Sequence, residues 1–224
     1  MNTIQNMYNK KIIIFAQINN KQTMNFENIC TEAEAAFLLK NLKHTDRVLE
    51  WGNGDLALQI ADKVKHVTVI THELNALGKI VDLQPQNMSS VYVPPTEPRQ
   101  SDDGNEREFH DYIQEAEQQL KRFGKFSVVI IRGRARVHCA RMCENIGTDA
   151  TRVFMFDFNH PHEQYRRNEY FQAEQYLQHQ KGEFALHLFK IKALQNKKVV
   201  KSTDIIATPE QHETGLKIAK QTKK

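Results

Sequence analysis

The stretch from Arg47 to Val64, RVLEWGNGDLALQIADKV, constrains the fold more than any other part of the sequence. Val48, Leu49 and Trp51 form an apolar run that enters a turn with glycines at Gly52 and Gly54. An amphipathic segment leaves it, with Leu56, Ile60, Ala61 and Val64 at helical spacing. Strand, glycine turn and helix in that order bring backbone N–H groups and a helix N-terminus to one place. That is a cradle for a nucleotide-like ligand. Glycines at such spacing also serve ordinary tight turns.

The rest of the chain repeats the alternation. Thr31-Glu32-Ala33-Glu34 has the form of a capping box opening an Ala- and Leu-rich helix to about Leu42. His66–Thr71 is a β-branched run that reads as a strand buried on both faces. A helix from Leu74 to Leu83 and a short strand at Ser90–Val93 follow. Glu106–Phe123 reads as a helix, Phe126–Ile131 as a central strand, Arg134–Asn145 as a helix and Thr151–Phe156 as a strand. Glu163–Gln180 reads as a polar helix, then Gly182–Leu194 as a strand turning at Gln195–Lys197 into a partner at Lys198–Ile206. Alternating β and α ending in a hairpin predicts an α/β, doubly wound, mostly parallel Rossmann-like sheet with a C-terminal antiparallel hairpin.

With 224 residues, 40% hydrophobic and 26% charged, the chain has the size and composition of one globular domain. Its longest early apolar run, Ile12–Ala16, is far short of the roughly 18 residues of a membrane span. The net charge of +4 is concentrated at the ends. Residues 1–26 hold Lys10, Lys11 and Lys21 and no acid, and residues 197–224 carry seven lysines against three acids. We therefore divide the chain into an N-terminal extension (1–26), an α/β domain (27–206) and a basic tail (207–224). Basic ends suit an acidic partner such as nucleic acid or anionic lipid, although solvated lysine-rich tails are the simpler expectation. Three cysteines, Cys30, Cys139 and Cys143, without a CxxC pair indicate a reducing, intracellular compartment, cytoplasmic or mitochondrial.

Two stretches resemble class I S-adenosylmethionine-dependent methyltransferases, in particular a group reading approximately LEWGxG and DGRARVxCA. They are Leu49-Glu50-Trp51-Gly52-Asn53-Gly54 and Arg132-Gly133-Arg134-Ala135-Arg136-Val137-His138-Cys139-Ala140. The resemblance covers roughly residues 25–190 and implies a seven-stranded sheet with S-adenosylmethionine over the carboxyl ends of the strands. It places Glu50, Gly52 and Gly54 beside the methionine end and ribose, and Asp157 near the methyl acceptor. The family pattern is broken where it matters for the cofactor. Thr71 stands where an acid usually holds the ribose, leaving Glu73 to substitute from two residues further on. Arg132 reverses the charge of the usual acid, and Asp55 occupies the start of the helix after the turn.

Two functions follow from the resemblance. One is an enzyme transferring a methyl group to an acceptor. The other is a catalytically degenerate relative serving as an accessory subunit, docked through its extensions and the Arg132/Arg134/Arg136 cluster. The second is the primary expectation, because the ribose acid and the charge at Arg132 have changed together. His138, Cys139 and Cys143 lack a fourth metal ligand and are expected to be helix residues with buried thiols. His160-Pro161-His162-Glu163 is expected to be an exposed turn.

Overall fold

A computed structural model describes residues 29–83, 85–97, 106–156, 172–183 and 185–192. The extensions, Asp157, His160, His162 and the expected strand at Lys198–Ile206 lie outside the described residues.

The described elements run α1 (Glu32–Lys40), β1 (Arg47–Trp51), α2 (Asp55–Ile60) with a 3-10 turn (Ala61–Lys63), β2 (His66–Thr71), α3 (Leu74–Leu83) and β3 (Met88–Tyr92). They continue with α4 (His110–Phe123), β4 (Val128–Ile131), α5 (Arg136–Ile146), β5 (Arg152–Met155), β6 (Leu177–Glu183) and β7 (Leu186–Ile191). The seven strands form one sheet in the order β3-β2-β1-β4-β5-β7-β6. All pairs are parallel except β5–β7 and β6–β7. This is the expected Rossmann-like sheet with its antiparallel end.

Each central strand buries both faces, which explains its continuous apolar run. Leu49, Trp51, Ile70, Val129 and Ile131 pack with Tyr112, Ile113 and Ala116 of α4 and Cys139, Ala140 and Cys143 of α5. Val48, Val67, Val69, Val128, Ile130 and Phe154 face the other way, onto Leu38, Leu56, Ile60 and Ile80. The capping box forms: Thr31 Oγ1 accepts from Glu34 N, and the Glu34 carboxylate accepts from Thr31 N. The other Glu34 oxygen accepts from Ala185 N at 2.9 Å, fastening α1 to the turn of the terminal hairpin.

The terminal region departs from the expected pattern. Leu177–Glu183 is a strand rather than the end of a helix, and the antiparallel partner begins at Leu186, so the reversal falls within the single strand expected from Gly182 onwards. β6 is the sheet's edge, and only Leu177 on it is fully buried. Its polar QHQKGE run lacks the apolar alternation that marks a half-buried strand. Backbone pairing to β7, a contact distant from local propensity, determines its conformation.

Candidate functional site

β1 and β4 are adjacent while the chain winds outward from them in opposite directions, so their carboxyl ends form the switch point of the sheet. Backbone bonds extend past the strands here. Gly52 N donates to Ile70 O at 3.1 Å, and Arg132 N and Gly133 N both donate to Trp51 O at 2.9 and 2.8 Å. The Trp51 indole N–H donates to Tyr112 O at 3.2 Å, holding α4 against the end of β1.

The glycine turn is built from both of its glycines. Gly54 caps α2 with φ +79°, in the left-handed region. A Cβ there would lie 2.4 Å from Ile80 Cδ1 and 3.4 Å from Val69 Cγ1, so α2 and α3 close on β2 only over a bare Cα. At Gly52 a Cβ would lie 2.6 Å from Glu50 Oε1. That oxygen accepts from Gly54 N at 3.2 Å, so the Glu50 carboxylate folds back over its own turn. Asp55, in the first turn of α2, is engaged locally: its carboxylate accepts from the Asn53 amide at 3.0 Å. Asp55 N in turn donates to Asn53 Oδ1 at 3.3 Å.

Three side chains with buried, unpartnered polar atoms meet at this switch point. Glu50 Oε2, Arg132 Nη1 and Tyr112 Oη have no hydrogen-bond partner among the described residues. Burial raises the Glu50 pKa above its usual range, with the Arg132 charge and the Gly54 and Ala57 N–H groups drawing it back. Tyr112 is pushed well above the ordinary tyrosine value by burial, then by the nearby Cys139, Glu50 and Glu73. Arg132 Nη2 donates to Ile29 O at 3.3 Å, and the guanidinium lies 5.0 Å from the centre of the Phe156 ring. Arg132 thus bridges the ends of β4 and β5 to the segment before α1.

Glu50, Gly52, Gly54 and Glu73 are gathered at the carboxyl ends of β1 and β2, whereas Asp157 lies outside the described residues. Thr71 is fully buried and accepts from Glu73 N through Oγ1 at 3.2 Å. The Glu73 carboxylate is half exposed, 3.8 Å from His72 Nε2. Two further residues at the site carry no mark in the sequence. Tyr112 lies on the apolar seam of α4, yet its hydroxyl lies where a Cβ on Gly133 would be 2.3 Å away. Ala135 begins α5 at φ +53°, a left-handed conformation that costs a non-glycine residue about 1–2 kcal/mol. Neither has a sequence signature, because an alanine and a seam aromatic are common everywhere.

The unpartnered Tyr112 hydroxyl has a measurable consequence. A buried hydroxyl without a partner costs about 1–3 kcal/mol, so Tyr112→Phe is expected to leave stability unchanged or to raise it by up to about 2 kcal/mol. Urea unfolding reads this directly, and a loss above about 1 kcal/mol would mean that the hydroxyl has a bonding partner.

Cys139, Cys143 and His138 are placed on α5, whereas His160, His162 and Glu163 lie outside the described residues. Cys139 and Cys143 are buried on α5, with Cys143 Sγ donating to Cys139 O at 3.3 Å. His138 Nδ1 stands 3.5 Å from Glu106. No group of three or more His, Cys, Asp or Glu side chains is placed to hold a metal among the described residues. No helix among them is long and apolar enough to cross a membrane.

No known family model and no curated protein matches the sequence. Solved structures do match the fold. A methyltransferase-like protein from Silicibacter pomeroyi aligns with TM-score 0.55 and 21% identity, over 73% of this chain and 87% of that one. Human methyltransferase-like protein 13, solved with SAH, aligns over 87% of this chain and 94% of that one at 14% identity, with TM-score 0.49. A TehB-like SAM-dependent methyltransferase from Corynebacterium glutamicum gives TM-score 0.49 and 10% identity, over 75% and 93% of the two chains. The alignment with the Silicibacter pomeroyi protein, together with the strand order of the sheet, gives the chain a Rossmann-like methyltransferase fold.

The residues at the switch point fit the cofactor of that fold only in part. The glycine turn and the buried Glu50, with its unpartnered Oε2, suit the ammonium end of a methionine moiety. A buried Thr71 and an arginine at the end of β4 do not suit the ribose and the sulfonium.

Proposed function

We propose that the chain is a methyltransferase-fold protein that has given up methyl transfer and serves as an accessory subunit of a larger assembly. Arg132 carries this reading: its guanidinium is fastened at the end of β4 by Ile29 O and the Phe156 ring, beside the buried Glu50. S-adenosylmethionine carries a fixed positive charge on sulfur. Bringing that charge within ~6 Å of a guanidinium costs about 3 kcal/mol at an effective dielectric constant of ~20. Arg132 instead supplies a cation from the protein itself, opposite Glu50. Partners would dock through the basic extensions 1–26 and 207–224 and through Arg134 and Arg136, with Arg132 held inside the fold and acidic protein surfaces favoured over nucleic acid.

One observation favours a second reading, an active S-adenosylmethionine-dependent methyltransferase. Glu50 Oε2 remains a buried acceptor without a partner, as a cofactor ammonium would require. Glu73 would then hold the ribose and Asp157 would stand near the acceptor.

The subunit reading is tested by native separation of an extract from cells that make the tagged chain at its natural level. Comigration with a larger assembly at defined stoichiometry is expected. Elution as a free 26.1 kDa chain would overturn it.

A further inference from the structure

The outermost hairpin carries two histidines, His179 on β6 and His187 on β7. On β7, His187 and Phe189 point to the same face, and His179 of β6 pairs with Phe189 on that face. The rings form one cluster: His179 lies edge-on to Phe189 with centroids 5.4 Å apart, and His187 is 6.4 Å from Phe189. A register shift between His179 and Lys181 places Gly182, rather than a residue with a side chain, opposite His187. A Cβ on Gly182 would lie 2.7 Å from His187 Nδ1, so the glycine makes room for the ring.

The result is a convergence of two ring nitrogens. His179 Nε2 and His187 Nδ1 are 3.1 Å apart, with ring centroids separated by 5.2 Å. In the metal-free protein one imidazole donates a hydrogen bond to the other. The spacing also suits chelation, since two M–N bonds of about 2.0–2.1 Å at a tetrahedral angle put the nitrogens about 3.3 Å apart. We infer that His179 and His187 form a bidentate site for a divalent transition-metal ion of the zinc, nickel or copper type, which imidazole suits. On binding, the donor ring shifts its hydrogen to its other nitrogen through solvent, so both facing nitrogens present lone pairs with no net proton release. Among the described residues no group of three such side chains is placed to hold a metal, so the assignment rests on these two imidazoles. The ion clips the edge strand β6 to β7, beside the turn that Glu34 holds.

The test uses the full chain, stripped with EDTA and titrated with Ni2+ and Zn2+ by calorimetry. One ion per chain is expected, with affinity reduced by about tenfold or more in His179→Asn and in His187→Asn. His44→Asn, at an exposed histidine outside the hairpin, should bind as the native chain does. Gly182→Val keeps both imidazoles but crowds His187, and should weaken binding as well. Copper in the native chain should show an electron paramagnetic resonance signal from two nitrogen ligands that either histidine variant abolishes. Binding unchanged in both histidine variants, or no binding by the native chain at about 100 µM ion, would overturn the assignment.

Discussion

Replacing Asp46 by alanine should lower the stability of the fold by about 3–5 kcal/mol, the usual effect of leaving one member of a buried ion pair behind. Asp46 is 3% exposed and lies at the amino end of the sheet, opposite the switch point. One carboxylate oxygen accepts from Arg152 Nη2 at 2.5 Å and from Ser127 Oγ at 2.8 Å. The other accepts from Lys43 N at 2.6 Å. Arg152 also donates to Asn41 O, the residue that caps α1. One side chain thus joins the end of α1 to the starts of β1, β4 and β5. Asp46→Ala strands a guanidinium that is mostly buried, with its side chain 18% exposed. For a domain of this size each kcal/mol lowers the melting midpoint by about 2–4 °C, so a drop of about 10 °C is expected. The double variant Asp46→Leu/Arg152→Met should recover much of that loss, because an apolar pair needs no counter-charge. A double variant no more stable than Asp46→Ala would show that the loss comes from elsewhere.

Gly54→Ala should cost about 2–4 kcal/mol, by adding a left-handed alanine to a clash in a packed core. The clash is with Ile80, fully buried between α3 and the sheet, which cannot swing away as a surface side chain would. Gly78 is the internal control. It lies exposed in the middle of α3, and a Cβ there would meet nothing within 4 Å. Gly78→Ala is therefore expected to stabilise by about 0.5–1 kcal/mol, because alanine loses less backbone entropy in a helix. Urea unfolding of the two variants should give opposite signs. Equal effects would mean that Gly54 is not held by its contacts.

Much of this fold is legible in the sequence because the central strands are buried on both faces. HVTVIT, FSVVII and TRVFMF have no polar alternation to confuse them with helix faces, and the GNG turn marks the passage from strand to helix. The terminal hairpin is illegible for the converse reason. Its outer strand is polar because it faces solvent, and only the backbone of β7 shows that it is extended. At the candidate site, the sequence singles out Glu50, Gly52, Gly54, Thr71 and Arg132 as the residues to look at. It did not show that Glu50 folds back onto Gly54 N, that Tyr112 occupies the space beside Gly133, or that Arg132 reaches Ile29 O. Those are contacts between residues up to about a hundred positions apart, and no local pattern encodes them.

Whether the Arg132 charge excludes the methyl donor is decided most directly by calorimetric titration of the native chain and of Arg132→Asp with S-adenosylmethionine. The native chain is expected to show no saturable binding at about 1 mM ligand, and the variant should gain affinity by at least about 100-fold, the ratio that removal of the like-charge term alone gives before the attraction of the new carboxylate is added. S-adenosylhomocysteine, which lacks the sulfonium charge, should discriminate far less between the two proteins. Saturable, micromolar binding of S-adenosylmethionine by the native chain, unchanged in Arg132→Asp, would contradict it.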